Sequence, residues 1–179
     1  MIILITGASH TGKTALAQRM LEKYKYPYLS IDHLKMGLIR SGRTDLTPED
    51  DGALTGFLWP IVREMIKTAI ENAQDLIVEG CYVPFDWRSD FDAPYLPSIR
   101  FVCLSLTDAY IDAHLEDVRA HASDVERRLC DEPLTAERLK EENRAYADGF
   151  RARGERVVQI GTDYEKEIAA LLNGFGALE

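Results

Sequence analysis

A chain of 179 residues is long enough for one domain with a real core and too short for two ordinary ones. Its 46% hydrophobic content is that of a globular protein, no apolar run approaches a membrane span, and no signal peptide is read ahead of the first strand, so a cytoplasmic protein is expected. With 21 Lys and Arg against 30 Asp and Glu, the formal charge of −9 argues against nucleic acid as a partner, while a small anionic ligand needs only a local cluster of cations.

The first element is the apolar run Met1 to Thr6, which reads as a buried strand. It leads into GASHTGKT, Gly7 to Thr14, a full match to G-x-x-x-x-G-K-[ST] that opens into a helical pattern. Gly7 and Gly12 permit backbone conformations and close approaches that a Cβ would hinder, so successive N–H groups can face a triphosphate. Lys13 would reach the β- and γ-phosphates of ATP, and Thr14 would place its hydroxyl on Mg²⁺. His10 lies within touching distance of phosphate in such a loop, and Thr11 and Ala15 complete the nucleotide-binding stretch. The following helix lays Leu16, Ala17, Met20, Leu21 and Tyr24 on one face.

A second strand over Tyr26 to Ile31 ends at Ser30-Ile31-Asp32-His33, at the strand edge where ligands collect in open α/β sheets. Asp32 there either caps the next helix or takes the proton of an attacking hydroxyl, and the two duties are compatible. Arg40, Arg43 and Arg63 are candidates for binding an anionic acceptor. Thr47-Pro48-Glu49-Asp50 predicts a helix start with Thr47 as cap. Pro60 predicts a kink or a junction of two helices near Trp59 in a segment whose inward stripe is Ile61, Val62, Met65, Ile66, Ala69, Ile70 and Ala73.

The third strand, Leu76 to Cys81, carries Glu79 at its end, where it would hold Mg²⁺ or orient the acceptor. Tyr82, Phe85, Trp87 and Arg88 follow as candidates for the acceptor pocket. A fourth strand over Ile99 to Ser105 precedes a helix bearing Ile111, Leu115 and Val118. Arg127 and Arg128 are the candidate cations for the transferring phosphoryl group, with Arg138 and Arg144 further on. A helix with Leu139, Tyr146 and Phe150 leads to a fifth strand, Arg156 to Ile160. Thr162-x-x-Glu165 then resembles a capping box for a last helix that carries Tyr164, Ile168, Leu171 and Leu172 inward. Cys81, Cys103 and Cys130 suit reduced thiols, and His33, His114 and His121 lack metal-ligand spacing.

Five short strands alternating with helices predict an α/β domain with a parallel sheet covered on both faces. The phosphate loop, the second-strand Asp32 with a helix behind it, LIVEG on the third strand and the arginine-bearing segment before the fifth together resemble the small phosphate-loop kinases. That superfamily includes nucleoside monophosphate, shikimate and gluconate kinases, chloramphenicol phosphotransferase and zeta-toxin-like kinases, and the chain is also similar to bacterial proteins labelled 2-phosphoglycerate kinases. SIDHLKMGLIRSG is similar to the segment in which such enzymes offer a base and an acceptor-binding arginine, which implies those roles for Asp32 and Arg40. The resemblance implies a three-layer P-loop NTPase fold with strand order 2-3-1-4-5, a single kinase domain over residues 1–179, a small lid near Arg119 to Pro133, and an adenine site by Gly161 and Thr162. The shikimate-kinase Asp-x-Asp is not present, because His33 and Leu34 follow Asp32.

The function expected is an ATP- and Mg²⁺-dependent phosphotransferase acting on a hydroxyl or phosphate of a small-molecule acceptor, as a monomer or homodimer. The substrate residues are then Asp32, Arg40, Arg63, Glu79 and Tyr82, the metal is held by Thr14 and Glu79, and Lys13, Asp32, Arg127 and Arg128 carry the chemistry. The alternatives are a nucleotide-dependent regulatory switch, for which the guanine-reading Asn-Lys-x-Asp is missing, and a nucleic-acid end kinase, which the acidic balance disfavours.

Overall fold

The computed structural model describes residues 1–120 and 134–175. Within them the strands β1 (Ile2–Gly7), β2 (Tyr28–Ser30), β3 (Leu76–Glu79), β4 (Ile99–Leu106) and β5 (Val157–Ile160) form one parallel sheet in the order β2-β3-β1-β4-β5. The helices are α1 (Lys13–Tyr24), α2 (Ile31–Arg40), α3 (Asp51–Glu71), α4 (Asp108–Ala120), α5 (Ala136–Arg151) and α6 (Tyr164–Gly174). The expected fold class and strand order both hold.

Alternation along β1 explains why there are two cores. Ile2 and Leu4 point to one face, where α3 packs Leu54, Leu58, Val62 and Ile66 beside Trp87 and Phe150. Ile3 and Ile5 point to the other, against Leu16, Ala17 and Met20 of α1 and Ile168 and Leu171 of α6. All four β1 side chains are essentially fully buried. Each contributes roughly 1.5–3 kcal/mol relative to exposure, so the strand that carries the phosphate loop is firmly anchored.

Several boundaries differ from the sequence reading, each for a local reason. The second strand is shorter than expected because Ser30 serves as the N-cap of α2, accepting from the His33 amide at 3.4 Å, so Ile31 is already helical. Thr47 does not cap α3; its amide and hydroxyl donate to Asp50 Oδ2 at 2.8 and 2.9 Å, closing a turn, and the helix starts at Asp51. Pro60 neither splits nor ends α3, which runs through it as one helix. The proline is exposed, and the carbonyl four residues back belongs to Gly56, also exposed, so the carbonyl that loses its helical donor is not forced into the core. Met65 is 39% exposed rather than inward. At α6 the cap is Asp163, which accepts from the Lys166 amide at 3.0 Å, and Glu165 instead pairs with Arg19 at 2.7 Å.

No helix among the described residues is long and apolar enough to cross a membrane.

Candidate active site

Everything at the site hangs on the carboxyl ends of β1, β2 and β3. Register places Ser30 beside Glu79 and Glu79 beside Ile5, so the loop after β1, the start of α2 and the Glu79 carboxylate meet at one sheet edge.

The phosphate loop has the backbone its sequence requires. Gly7 sits at φ 143°, and a Cβ there would overlap the carbonyl oxygen of Leu104 on the neighbouring strand. Both the conformation and the contact are with backbone that cannot step aside. Gly7→Ala is therefore expected to destabilise the fold by about 3 kcal/mol or more, read as a fall in the denaturation midpoint. Gly12 is left-handed at φ 81°, and the space a Cβ would occupy is taken by the Tyr164 hydroxyl from α6, which approaches Gly12 O at 3.4 Å. His10 also has positive φ, 63°, an unusual state for a side-chain-bearing residue that the loop enforces. Thr11 Oγ1 donates to Ala8 O at 3.0 Å and is buried, so it braces the loop from within.

Gly12 offers α1 no side-chain cap, and no acid stands in the first turn. The first-turn N–H groups of α1 thus have no capping side chain and no acid of their own helix, the arrangement an anion requires. Lys13 is 7% exposed and folds back to donate from Nζ to Ala8 O at 2.7 Å. Its stem is buried in the loop while its charge stays where phosphates of a nucleotide would lie. Ala15, half-buried in the first turn of α1, lets that turn approach closely.

Thr14 Oγ1 lies 3.4 Å from Glu79 Oε2, and Glu79 is 1% exposed at the end of β3. A hydroxyl and a carboxylate beside a phosphate loop are the hard oxygen donors Mg²⁺ uses, since that ion takes one or two protein ligands together with phosphate oxygens and water. The residues present fit the ion.

Asp32 stands in the first turn of α2, with capping left to Ser30. Its Oδ1 accepts from Lys35 Nζ at 2.6 Å, one turn along the helix. Lys35 Nζ also donates to the Tyr82 hydroxyl at 2.9 Å, and that hydroxyl donates to Asp51 Oδ1 at 3.0 Å. Tyr82 is 3% exposed, and burial, followed by the fields of Cys81, Asp32 and Asp51, pushes its phenol up. It is therefore a neutral hydroxyl that relays between an ammonium and a carboxylate. The Cys81 thiol is pushed up to about 11, first by burial and then by the field of Asp32, with Lys13 acting against both. Such a thiol is protonated and unreactive at neutral pH.

Other expected site residues fall elsewhere. Arg40 is exposed in the last turn of α2, about 12 Å along the helix axis from Asp32. Arg63 lies about 18 Å along α3 from Asp51 and is held by Glu64 at 2.8 Å and Asp90 at 3.8 Å. Asp90 also accepts from Trp59 Nε1 at 2.7 Å, so Arg63 belongs to a brace between α3 and the 3₁₀ turn Trp87–Asp90. The structure does not bring Arg63 to the phosphate loop. Trp87 is fully buried and stacks on Phe101 at 5.3 Å, and Arg88 grips Glu155 through two bonds, one of 3.0 Å. Trp87 is a core residue, and Arg88 is an exposed ion-pair partner. Phe85 is 41% exposed and packs edge-on against Tyr146 and Phe150.

Arg127 and Arg128 lie outside the described residues, as does the expected lid apart from Arg119 and Ala120. Arg119 donates to Leu134 O at 3.0 and 2.7 Å, tying α4 to the residue just ahead of α5. Arg138 and Arg144 pair with Glu142 and Asp108 on the surface.

Gly161 and Thr162 form a turn whose amides, with that of Asp163, all donate to Glu167 Oε1 at 3.1 to 3.3 Å. These bonds, the Thr162 amide foremost, hold the Glu167 carboxyl below the usual range. A depressed folded value means that the stabilisation is complete above the ordinary value of 4.5 and is lost as pH falls through the lower one. Glu167→Gln should lower the melting temperature near neutral pH, and the difference from wild type should shrink below about pH 4 in a thermal-melt series.

No protein-family model matches the chain, and no curated protein matches it in sequence. Solved structures do match in shape. A gluconokinase from Sinorhizobium meliloti 1021 superposes with a TM-score of 0.56 at 17% identity, covering 98% of this chain and 91% of its own. A sugar kinase from Janibacter sp. HTCC2649 gives 0.58 at 15%, covering 99% and 95%, and a shikimate kinase from Aquifex aeolicus gives 0.52 at 14%, covering 99% and 97%. The fold is that of the phosphate-loop small-molecule kinases. The likeness in fold extends over nearly the whole chain.

Lys35 and Asp51 were missed in the sequence reading. An acid and a lysine three residues apart on a helix gave a usable signal for the first; nothing local pointed to the second.

Proposed function

We propose that the protein is an ATP- and Mg²⁺-dependent phosphotransferase that moves the γ-phosphoryl group to a hydroxyl or phosphate of a small molecule. One observation carries this reading: Lys13, Thr14, Glu79 and Asp32, a phosphate cation, two oxygen donors and a carboxylate, lie at the carboxyl ends of the three neighbouring strands β1, β3 and β2.

The loop amides and the start of α1 bind and orient the triphosphate, and Lys13 leaves Ala8 O for its outer phosphates. Thr14 and Glu79 hold the metal, which when bound offsets charge on the phosphate oxygens. Asp32 orients the acceptor hydroxyl in line with the γ-phosphorus and takes its proton as the new bond forms. Arg127 and Arg128 are assigned the positive charge that closes over the transferring group, and Gly161 and Thr162 the edge of the adenine. Arg40 is retained as a contact for the distal part of a long acceptor.

The test is ADP release from Mg-ATP across a panel that contains gluconate, shikimate, glycerate, neutral sugars and nucleoside monophosphates. Acceptor-dependent release, with a phosphorylated product by mass spectrometry, supports the proposal. Slow hydrolysis unaffected by every acceptor transfers preference to a regulatory NTPase.

A further inference from the structure

The chain Asp32–Lys35–Tyr82–Asp51 joins three elements that no local pattern connects: the start of α2, the end of β3 and the start of α3. Tyr82 is buried and the Lys35–Asp32 pair is partly so, while Asp51 at the far end is exposed. The Lys35 side chain is 12% exposed and that of Asp32 25%. Two of the three Lys35 Nζ donors go to Asp32 Oδ1 and the Tyr82 hydroxyl, and the ammonium lies 5.0 Å from the centre of the Tyr82 ring. Tyr82 is in turn fixed by its bond to Asp51.

An isolated aspartate in the first turn of a helix is free to rotate about two bonds. Here Oδ1 is tethered to Lys35 Nζ, and Oδ2 is the oxygen that this pair does not engage. We propose that Lys35 is a positioning residue for Asp32, with Tyr82 and Asp51 setting the place of its ammonium. This rests on the phosphotransferase reading. In the step, the acceptor oxygen bonds to the γ-phosphorus while the bond to the bridging oxygen breaks. The hydroxyl proton passes to Asp32 Oδ2, and the leaving electron pair stays on ADP. Because phosphoryl transfer has a loose transition state, the proton moves late and orientation of the nucleophile outweighs the strength of the base. An ammonium on Oδ1 fixes the direction of the carboxylate, and direction is what such a reaction rewards.

The experiment uses the full chain with Mg-ATP and the best acceptor from the panel above, comparing Asp32→Asn, Lys35→Met, Lys35→Arg, Tyr82→Phe and Lys35→Met with Tyr82→Phe. Lys35→Met should lower kcat by about tenfold or more with KM for ATP within about twofold, and Lys35→Arg should recover most of the loss. Tyr82→Phe should lower kcat by a few-fold, roughly, and the double variant should be no worse than Lys35→Met alone, since both act through one tether. Melting curves separate this from unfolding: a strut of purely structural importance would lower the melting temperature and leave kcat of the folded fraction unchanged. If Asp32→Asn loses turnover and Lys35→Met does not, the positioning role is overturned and the phosphotransferase reading stands. If neither variant loses turnover, or the wild type transfers to no acceptor, the reading of Asp32 falls and the role of Lys35 falls with it.

Discussion

Lys13→Ala should abolish the stabilisation that Mg-ATP confers on the wild-type protein. A ligand that binds only the folded state adds RT ln(1 + [L]/Kd), about 2.7 kcal/mol at a hundredfold excess over Kd. For a chain of this size that amounts to a rise of about 5–10 °C in the melting temperature. The variant loses the cation that the proposal assigns to the phosphates. It should remain folded without nucleotide, because what the bond from Nζ to Ala8 O contributes is largely offset by the cost of holding a buried ammonium. The measurement is a pair of melting curves with and without Mg-ATP for each protein. An undiminished shift in Lys13→Ala would sink the assignment of the loop.

Asp32→Asn should keep ATP affinity within a few-fold and lower turnover of the acceptor by about 10² or more. The amide is the same size, and its oxygen can still accept from Lys35 Nζ, so the chain through Tyr82 to Asp51 survives. What it cannot do is accept the hydroxyl proton. Since Ser30 caps α2, the substitution removes no helix cap, and a fall in kcat cannot be attributed to loss of one. A kcat equal to wild type would assign Asp32 a purely electrostatic place near the start of α2.

The two variants separate nucleotide binding from chemistry because the residues hang from different strands. Lys13 follows β1 and is placed by the loop; Asp32 follows β2 and is placed by the cap at Ser30. Between them stands β3, whose Glu79 is fixed by pairing on both sides.

Much of this was legible in the chain. The phosphate loop, the five strands with their alternation, the inward stripe of α1 and the positions of Asp32 and Glu79 at strand ends all follow from local spacing. The misreadings were of two kinds. Thr47 and Glu165 looked like members of capping motifs, and each found another partner within reach, Asp50 and Arg19. A motif of that sort lists residues capable of a bond and does not say which competing bond is better. Arg63, Trp87 and Arg88 looked available for an acceptor, and the fold spent them on Asp90, Phe101 and Glu155.

What the sequence by itself determined, then, is whatever depends on neighbours within about a helical turn: the loop's left-handed glycine at Gly12, the buried alternation of β1, and the acid placed just after β2. What only the tertiary structure decided is which distant groups share that edge. Lys35, Asp51 and Tyr82 come together because β3 pairs between β1 and β2, and because α3 packs its apolar face on the same side of the sheet. Register and helix packing bring together residues that lie 31 and 47 positions apart in the chain, and no local periodicity encodes that distance.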